Sequence, residues 1–422
     1  MKVLFISEFF YPEIKGGGEL SSFILAKNLL KNEKNNIEIH VLTSKKENLK
    51  EYEEIEKIKI HRLLETGEPN SIIGNINRLK FKKSLLKNLQ ELEKKENFDL
   101  IHCFNITSIY SILLKEKIKK PFVLHVNSPV LFCPKGTLIY QDKKECNLEC
   151  NFLNYTKCYL KSKNIGKVKL NPILKYNPLT FVYLRKRYLE YKKLMKKFDY
   201  FFAISNFIKN KLIQENISKE KVFVIYNILD MIEEKNKKDY KINNENIKNK
   251  NNKKEEIKKI LYLGSYTEPK GCKLLFDVLR KIDLNFEANF FGKGILKEYL
   301  LKNKNEKINI NDEVNYSLIP KIIKEHDIII IPSLVSEGFS RAAYEGIFLK
   351  KLVIANNIGG IKDIIIDKKT GFLYNNEKEL KELIEKAIKN ELKINKKELE
   401  KHFKKLNNYE SLIKIYEKIT KN

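Results

Sequence analysis

The sequence predicts an α/β chain built from two doubly wound, parallel-sheet domains. Three observations carry this prediction. Short apolar runs of strand length alternate with longer stretches of helical periodicity. A glycine triplet stands between the first run and the first helical stripe. The alternation stops at an almost apolar-free tract near residues 231–256 and then starts again.

Taken in order, residues 3–6 read as a short buried strand, and residues 7–18 as a loop holding Pro12 and the glycine triplet. From 19 to 31, Leu20, Phe23, Ile24, Leu29 and Leu30 form a helical stripe. Residues 37–42 and 58–63 are the next strands. Residues 78–94 are helical by pattern, and 100–104 and 122–126 are strands again. Residues 127–175 break the rhythm with Pro129, Pro134, Gly136, Gly166, Pro172 and four cysteines, which predicts a loop-rich insertion. A basic, aromatic helix follows near 178–197, then strands at 200–204 and 222–225. The tract "KKDYKINNENIKNKNNKKEE" is expected to be a solvated linker. Beyond it, strands are expected at 260–263, 288–291, 328–331 and 352–355. Helices are expected at 270–282, 294–304, 341–349, 377–390 and 396–420. The domain reading is 1–230, a linker at 231–256, 257–400, and a terminal helical segment at 401–422.

Composition narrows the function. A chain of 422 residues has room for two or three domains, and 42% hydrophobic residues exclude a wholly disordered chain. The formal charge of +28 has two candidate sources, a polyanionic partner or a Lys-rich composition. Lys is spread over nearly every segment beside abundant Asn and Ile, which favours composition, and no clustered basic stripe supports a nucleic-acid partner. The longest apolar runs fall far short of the roughly 20 residues a spanning helix needs. The apolar start at residues 1–7 is too short for a signal peptide and runs into Glu8 and Glu13. A cytoplasmic location with reduced cysteines is the expectation.

Open parallel sheets bind ligands at the C-terminal ends of their strands. The informative loops are therefore 7–18, the segment after 126, 264–271, 292–294 and 332–339. The first, "SEFFYPEIKGGGE", brings glycines to a helix start, where backbone N–H groups can approach an anion. It is neither GxGxxG nor a Walker A loop, and a tight turn explains it equally well. The last, "IPSLVSEGFSRAAYE", follows a strand and opens a helix. Glu337 sits in that loop and Glu345 inside the helix. Between them Gly338 and the amides of Phe339, Ser340, Arg341 and Ala342 can hold a phosphate. A carboxylate on each side of a phosphate site suits a nucleotide sugar.

Glu337-x7-Glu345 resembles the signature of retaining glycosyltransferase family 4, and further stretches resemble it in the right order. These are "YPEIKGGGE", "YNILD" at 226–230 with Ile228 in place of a glycine, "GSYTEPKG" at 264–271, "GKG" at 292–294, and "NIGGIKDIIIDKKTGFLY" at 357–374. The resemblance implies a GT-B fold, two Rossmann-like domains facing across a cleft. The N-terminal one would bind the acceptor and the C-terminal one the donor, with the segment 401–422 packing back on the N-terminal domain. It implies a hexosyltransferase that moves a hexose from a nucleotide diphosphate sugar to a glycan or lipid-linked acceptor, in cell-surface polysaccharide or lipopolysaccharide synthesis. Position by position, Glu337 would bind the donor hexose, Glu345 the ribose, and the amides from Phe339 to Ala342 the distal phosphate. Lys270 would neutralise the leaving diphosphate, Gly16 and Gly17 would close on the donor, and His125 matches the family's active-site histidine.

One position departs from the pattern. Ser265 stands where the family carries an arginine that clamps phosphate, with Arg341 a candidate for the missing charge. The departure motivates an alternative reading, a non-catalytic sugar-nucleotide-binding subunit. The implied reaction is front-face substitution in which the leaving diphosphate takes the acceptor proton, so no pair of acid and base carboxylates is required. No Asp-x-Asp stands in a donor loop, and no metal or other cofactor is expected.

Two features stand apart. Cys133, Cys146, Cys150 and Cys158 lie together in the insertion. They read as free thiols, with a zinc site and disulfides as alternatives, because CxxC spacing is missing. The helix "FVYLRKRYLEYKKLMKK" reads as core-packed with a wet basic face, or as an interfacial helix on an anionic membrane at the inner face of the cell membrane.

Overall fold

The computed structural model describes residues 1–14, 17–31, 36–66, 73–104, 106–142, 144–162, 164–165, 168–169, 176–229, 257–407 and 410–421, with the side chains of 73–78, 144, 164–165 and 168–169 excepted. The polar linker expected at 231–256 and Gly16 lie outside the described residues. Contacts divide the chain into two units. Unit 1 is Met1–Ile228 with Val335–Phe339 and Leu406–Asn422, and unit 2 is Leu229–Leu334 with Ser340–Lys405.

Unit 1 contains β1 (Lys2–Ile6), β2 (Glu38–Ser44), β3 (Tyr52–Ile55), β4 (Ile58–Leu64), β5 (Leu100–Phe104) and β6 (Phe122–Val126). Two short antiparallel pairs follow, β7 (Ile139–Tyr140) with β8 (Lys144–Glu145), and β9 (Asn164–Ile165) with β10 (Val168–Lys169). Then come β11 (Tyr200–Ala203) and β12 (Val222–Val224). Its main sheet has the order β12-β11-β6-β5-β1-β2-β4-β3. Every pairing in it is parallel except β3 with β4. The parallel strands read as unbroken apolar runs because both faces of such a sheet are covered, and β5 and β6 are buried at every residue.

β3 obeys a different rule. Two of its four residues are Glu, so it carries no strand signal in the sequence. A buried ion pair accompanies its pairing with β4: Arg62, 1% exposed, lies 2.6 Å from Glu53 and donates to the Tyr11 carbonyl at 2.9 Å. Removing Glu53, itself half-buried, would leave the buried Arg62 guanidinium uncompensated, a loss smaller than the roughly 3–5 kcal/mol of a fully buried pair.

Unit 2 holds β13 (Lys258–Leu263), β14 (Phe286–Phe291), β15 (Ile308–Asn311), β16 (Ile328–Ile331), β17 (Leu352–Asn356) and β18 (Phe372–Tyr374). They form an all-parallel sheet in the order β15-β14-β13-β16-β17-β18. The strand order reverses between β13 and β16, which makes their C-terminal ends the topological switch point where such sheets bind ligands. Tyr262, Tyr266, Phe276 and Phe290 pack the core on the β13–β14 side. The helical stretch expected at 396–420 is two helices, Lys396–Leu406 and Glu410–Lys421. The second belongs to unit 1, where it buries Leu412, Ile413, Tyr416 and Ile419.

Candidate functional site

In unit 2 the loop after β13 runs through residues 264–271 into the helix Cys272–Leu279. Gly271 ends it in the left-handed region, φ +70°, and a Cβ there would lie 1.8 Å from the Pro332 carbonyl oxygen. Only glycine permits that approach. The amide of Leu334 donates to the Pro269 carbonyl at 2.9 Å. The loops after the two switch-point strands are thereby stitched together. Buried Tyr266 extends the stitch. Its amide donates to Lys293 O at 2.8 Å, its hydroxyl to Asn311 O at 2.6 Å, and its carbonyl accepts from Leu296 N. Ser265 and Lys270 are half-buried on this framework, and the Tyr262 hydroxyl donates to the Ser265 carbonyl.

After β16 the chain turns into the helix Arg341–Phe348. Ser340 caps it, accepting from the Ala343 amide. Glu345 is 4% exposed, and burial pushes its carboxyl upward. Arg341 opposes that shift. It lies 3.5 Å from Glu345 and donates to the Tyr316 hydroxyl at 2.6 Å. The guanidinium considered as a substitute for the missing arginine at Ser265 is thus engaged by Tyr316 and Glu345. Tyr316 had no signal in the sequence, because it stands in a single turn at Tyr316–Leu318 between unrelated motifs.

Ala342 follows Arg341 on the same helix of unit 2, and the other expected residues that are described fall in unit 1. Glu337, Gly338 and Phe339 pack there, and a Cβ on Gly338 would come within 2.7 Å of the Asn127 carbonyl oxygen. Gly17 opens the helix Gly17–Leu30. His125, 6% exposed near the end of β6, lines a cavity of about 250 Å³ together with Glu8, Glu19, Thr107, Asn127 and Ser128. Glu8 and Glu19 belong to the glycine-loop stretch "SEFFYPEIKGGGE", but the sequence does not single them out as site residues.

A buried hydrogen-bond chain stands behind His125. Its Nδ1 is 3.1 Å from His102 Nε2, and His102 Nδ1 is 2.6 Å from the Tyr416 hydroxyl. The two imidazoles stack with centroids 5.2 Å apart and planes 8° from parallel. Burial keeps Tyr416 protonated and both histidines neutral, with His125 pushed down to about 3. A buried hydroxyl proton needs an acceptor. Assigning roles on that basis, Tyr416 donates to His102 Nδ1, His102 Nε2–H donates to His125 Nδ1, and the proton of His125 sits on Nε2. In this tautomer His125 offers its surroundings a neutral N–H donor and no lone pair for use as a base.

Residues 15–232 match the family described as Glycosyltransferase Family 4, and residues 243–409 match Glycosyl transferases group 1. An uncharacterized glycosyltransferase of Methanocaldococcus jannaschii is 30% identical over 231 residues, which span 53% of this chain and 60% of that protein. Among solved structures, the lipopolysaccharide outer core galactosyltransferase WaaB in its apo form has a TM-score of 0.61 at 16% identity, covering 99% of each chain. Anabaena Alr3699/HepE in complex with UDP-glucose has a TM-score of 0.57 at 16% identity, covering 100% of this chain and 97% of that one. At these identities the likeness to the solved structures is one of fold.

The buried histidines make stability depend on pH. In unit 1 a second pair, His40 and His61, lies with ring nitrogens 3.0 Å apart, and burial pushes His61 down to about 4. The unfolded chain binds protons near pH 6.5, whereas burial pushes His61 down to about 4 and His125 down to about 3 in the folded chain and lowers His40 and His102 as well. The unfolded state therefore holds more protons throughout that window, and stability falls as pH falls. At pH 5, His61 and His125 each cost about 2 kcal/mol. The raised carboxyls of Glu93 and Glu345 offset part of this loss. Thermal melts should show Tm dropping steadily from pH 7 to pH 5. A flat Tm over that range would contradict the neutral assignment.

Proposed function

The chain belongs to glycosyltransferase family 4, and from that premise we propose that it is a retaining hexosyltransferase acting on a nucleotide diphosphate sugar. The observation that carries the reading is the stitched switch point of unit 2. There Ser265, Lys270 and the N-terminus of the helix Arg341–Phe348 border the ends of β13 and β16. Lys270 offers a fixed positive charge to the leaving diphosphate, and the helix N-terminus offers its dipole to the distal phosphate. With Ser265 in the arginine position, these groups carry more of the charge on the departing pyrophosphate, where the reaction makes its largest electrostatic demand. The Glu345 carboxylate, set by Arg341 and Tyr316, receives the ribose, and Glu337 receives hexose hydroxyls.

Transfer with retention fits the chemistry of unit 1. The acceptor hydroxyl attacks the anomeric carbon on the face from which the diphosphate leaves, and the diphosphate oxygen takes its proton. No protein base is required, which agrees with a His125 whose available nitrogen already carries hydrogen. His125 then acts as a neutral donor to a sugar hydroxyl. Gly17 stands at a helix start in the same unit, and the Glu8 and Glu19 carboxylates can accept hydrogen bonds from acceptor hydroxyls. Synthesis of lipopolysaccharide or another surface polysaccharide is the proposed setting, supported by the fold shared with WaaB.

A lipid-linked acceptor would bring the protein to a membrane surface. Phe152, Leu153, Leu179 and Val182 are exposed on two helices that Arg185 ties together by donating to the Cys150 carbonyl, and Lys157, Lys161 and Lys186 are exposed on the same two helices. The inner face of the helix Pro178–Met195 is packed through Leu184, Tyr188, Tyr191 and Leu194. Exposed apolar side chains interleaved with lysines suit an anionic interface on the cytoplasmic side. No helix among the described residues is long and apolar enough to cross a membrane.

Glu337→Ala should lower transfer by about 100-fold or more, in line with loss of a charged group acting at the reacting centre. Circular dichroism and Tm should stay at wild-type values. The assay is product formation across UDP-, GDP- and ADP-sugars with and without EDTA, and activity that persists in EDTA supports metal independence. Undiminished turnover by the variant contradicts the assignment of Glu337. Nucleotide binding by the wild type without transfer or hydrolysis of any donor favours the non-catalytic subunit instead. In sedimentation assays the chain should pellet with anionic vesicles at low salt and be released at high salt. No pelleting at low salt contradicts the membrane reading.

A further inference from the structure

Four of the six cysteines, Cys133, Cys146, Cys150 and Cys158, line a single cavity of about 440 Å³ in unit 1. The other two, Cys103 and Cys272, are buried elsewhere. None of the six is in a disulfide. The four reach the cavity from separate places. Cys133 opens a turn closed by the Gly136 amide donating to its carbonyl at 2.8 Å, Cys146 and Cys150 sit on one loop, and Cys158 sits on the helix Phe152–Lys161.

Two observations point to a ligand in this cavity. The first is structural need. Among the described residues the helix Phe152–Lys161 packs through a small cluster, Tyr155, Tyr159 and Leu184 against Cys150 and Phe181. A metal held by the neighbouring thiols would add to so small a local cluster. The second is convergence. The Cys146 and Cys150 thiols each interact electrostatically with both Cys133 and Cys158, and the Gln141 amide donates to Cys158 Sγ at 3.3 Å. Three lysines also line the cavity: Lys135 pairs with Asp142 at 2.9 Å, Lys192 pairs with Glu215 at 2.6 Å, and Lys211 donates to the Cys146 carbonyl at 3.2 Å.

We propose that Cys133, Cys146, Cys150 and Cys158 hold a thiophilic metal centre, as four thiolates around zinc or around an iron–sulfur cluster. For zinc, four thiols release four protons to solvent and bind one Zn²⁺, giving a centre of net charge −2 with Lys211 beside it. Burial pushes the Cys150 thiol up to about 12 and raises Cys146, so uptake competes with protons and weakens in acid. Zinc–sulfur bonds of about 2.3 Å in a tetrahedron set sulfurs roughly 3.8 Å apart. Among the described residues no three of these sulfurs lie within 4.8 Å of one another. A single zinc would therefore draw the loops inward, whereas a cluster spans a wider set of sulfurs. In either case the centre closes the segment that holds the helix Phe152–Lys161 against the helix Pro178–Met195.

The test is metal analysis of the full chain purified anaerobically without added metal. It is combined with acid-labile sulfide assay, thiol titration, and melts before and after a mercurial releases the metal. The expected result is one zinc per chain, or iron with equimolar sulfide, released as the thiols react and accompanied by a fall in Tm. The double variant Cys146→Ser/Cys150→Ser should lose the metal. The wild-type measurements decide the matter even if that variant does not fold. A metal-free chain whose four thiols titrate freely would overturn the proposal, as would disulfide pairing among them or full metal content in the double variant.

Discussion

The ligand face of unit 2 depends on one close contact, the backbone of Gly271 against the carbonyl of Pro332. It joins the loops that follow β13 and β16, the two strands between which the sheet reverses its order. A parallel sheet offers its ligand a crevice only where neighbouring connections diverge to opposite faces. Here the two loops are locked at the edge of that crevice by one glycine in the left-handed region and by the Leu334–Pro269 hydrogen bond. The positions proposed for the diphosphate follow from this lock. Lys270 is held by the turn that Gly271 closes, and the segment leading to Ser340 starts from the strand end that Gly271 touches.

Unit 1 handles polarity in a different way. Around His125 its polar groups are buried and neutral, ordered by a chain from Tyr416 through His102 to His125. The chain fixes one proton on His125 through a residue 291 positions further along (416 − 125). Ser265 shifts the balance within unit 2. With less positive charge beside the proposed pyrophosphate, more of the work falls to Lys270 and to the helix N-terminus.

The legible part of the fold was the part that pattern dictates. Leu100–Phe104, Phe122–Val126 and Ile328–Ile331 could be read at both ends because strands covered on two faces must be apolar throughout. Tyr52–Ile55 could not, since an ion pair formed across the sheet accompanies its pairing. Ile308–Asn311 alternates Ile with Asn, and its asparagines are satisfied by Glu287, Asn289 and the Phe290 carbonyl, partners that only the sheet brings near. In the site, the residues of local motifs were visible: Lys270 and Gly271 in one, Glu337 to Glu345 in another. Tyr316 was not, nor was the link from His102 to Tyr416 across 314 positions, because no local spacing encodes a contact made by the fold.

The central claim is that the switch point of unit 2 binds a nucleotide diphosphate. Hydrogen exchange of the full chain with and without UDP, GDP and ADP tests it most directly. At least one nucleotide should slow exchange in residues 264–271 and in the amides around 333–343, with the sheet edges β15 and β12 unchanged. Saturable binding that protects other segments, or no binding by any of the three, would contradict the claim.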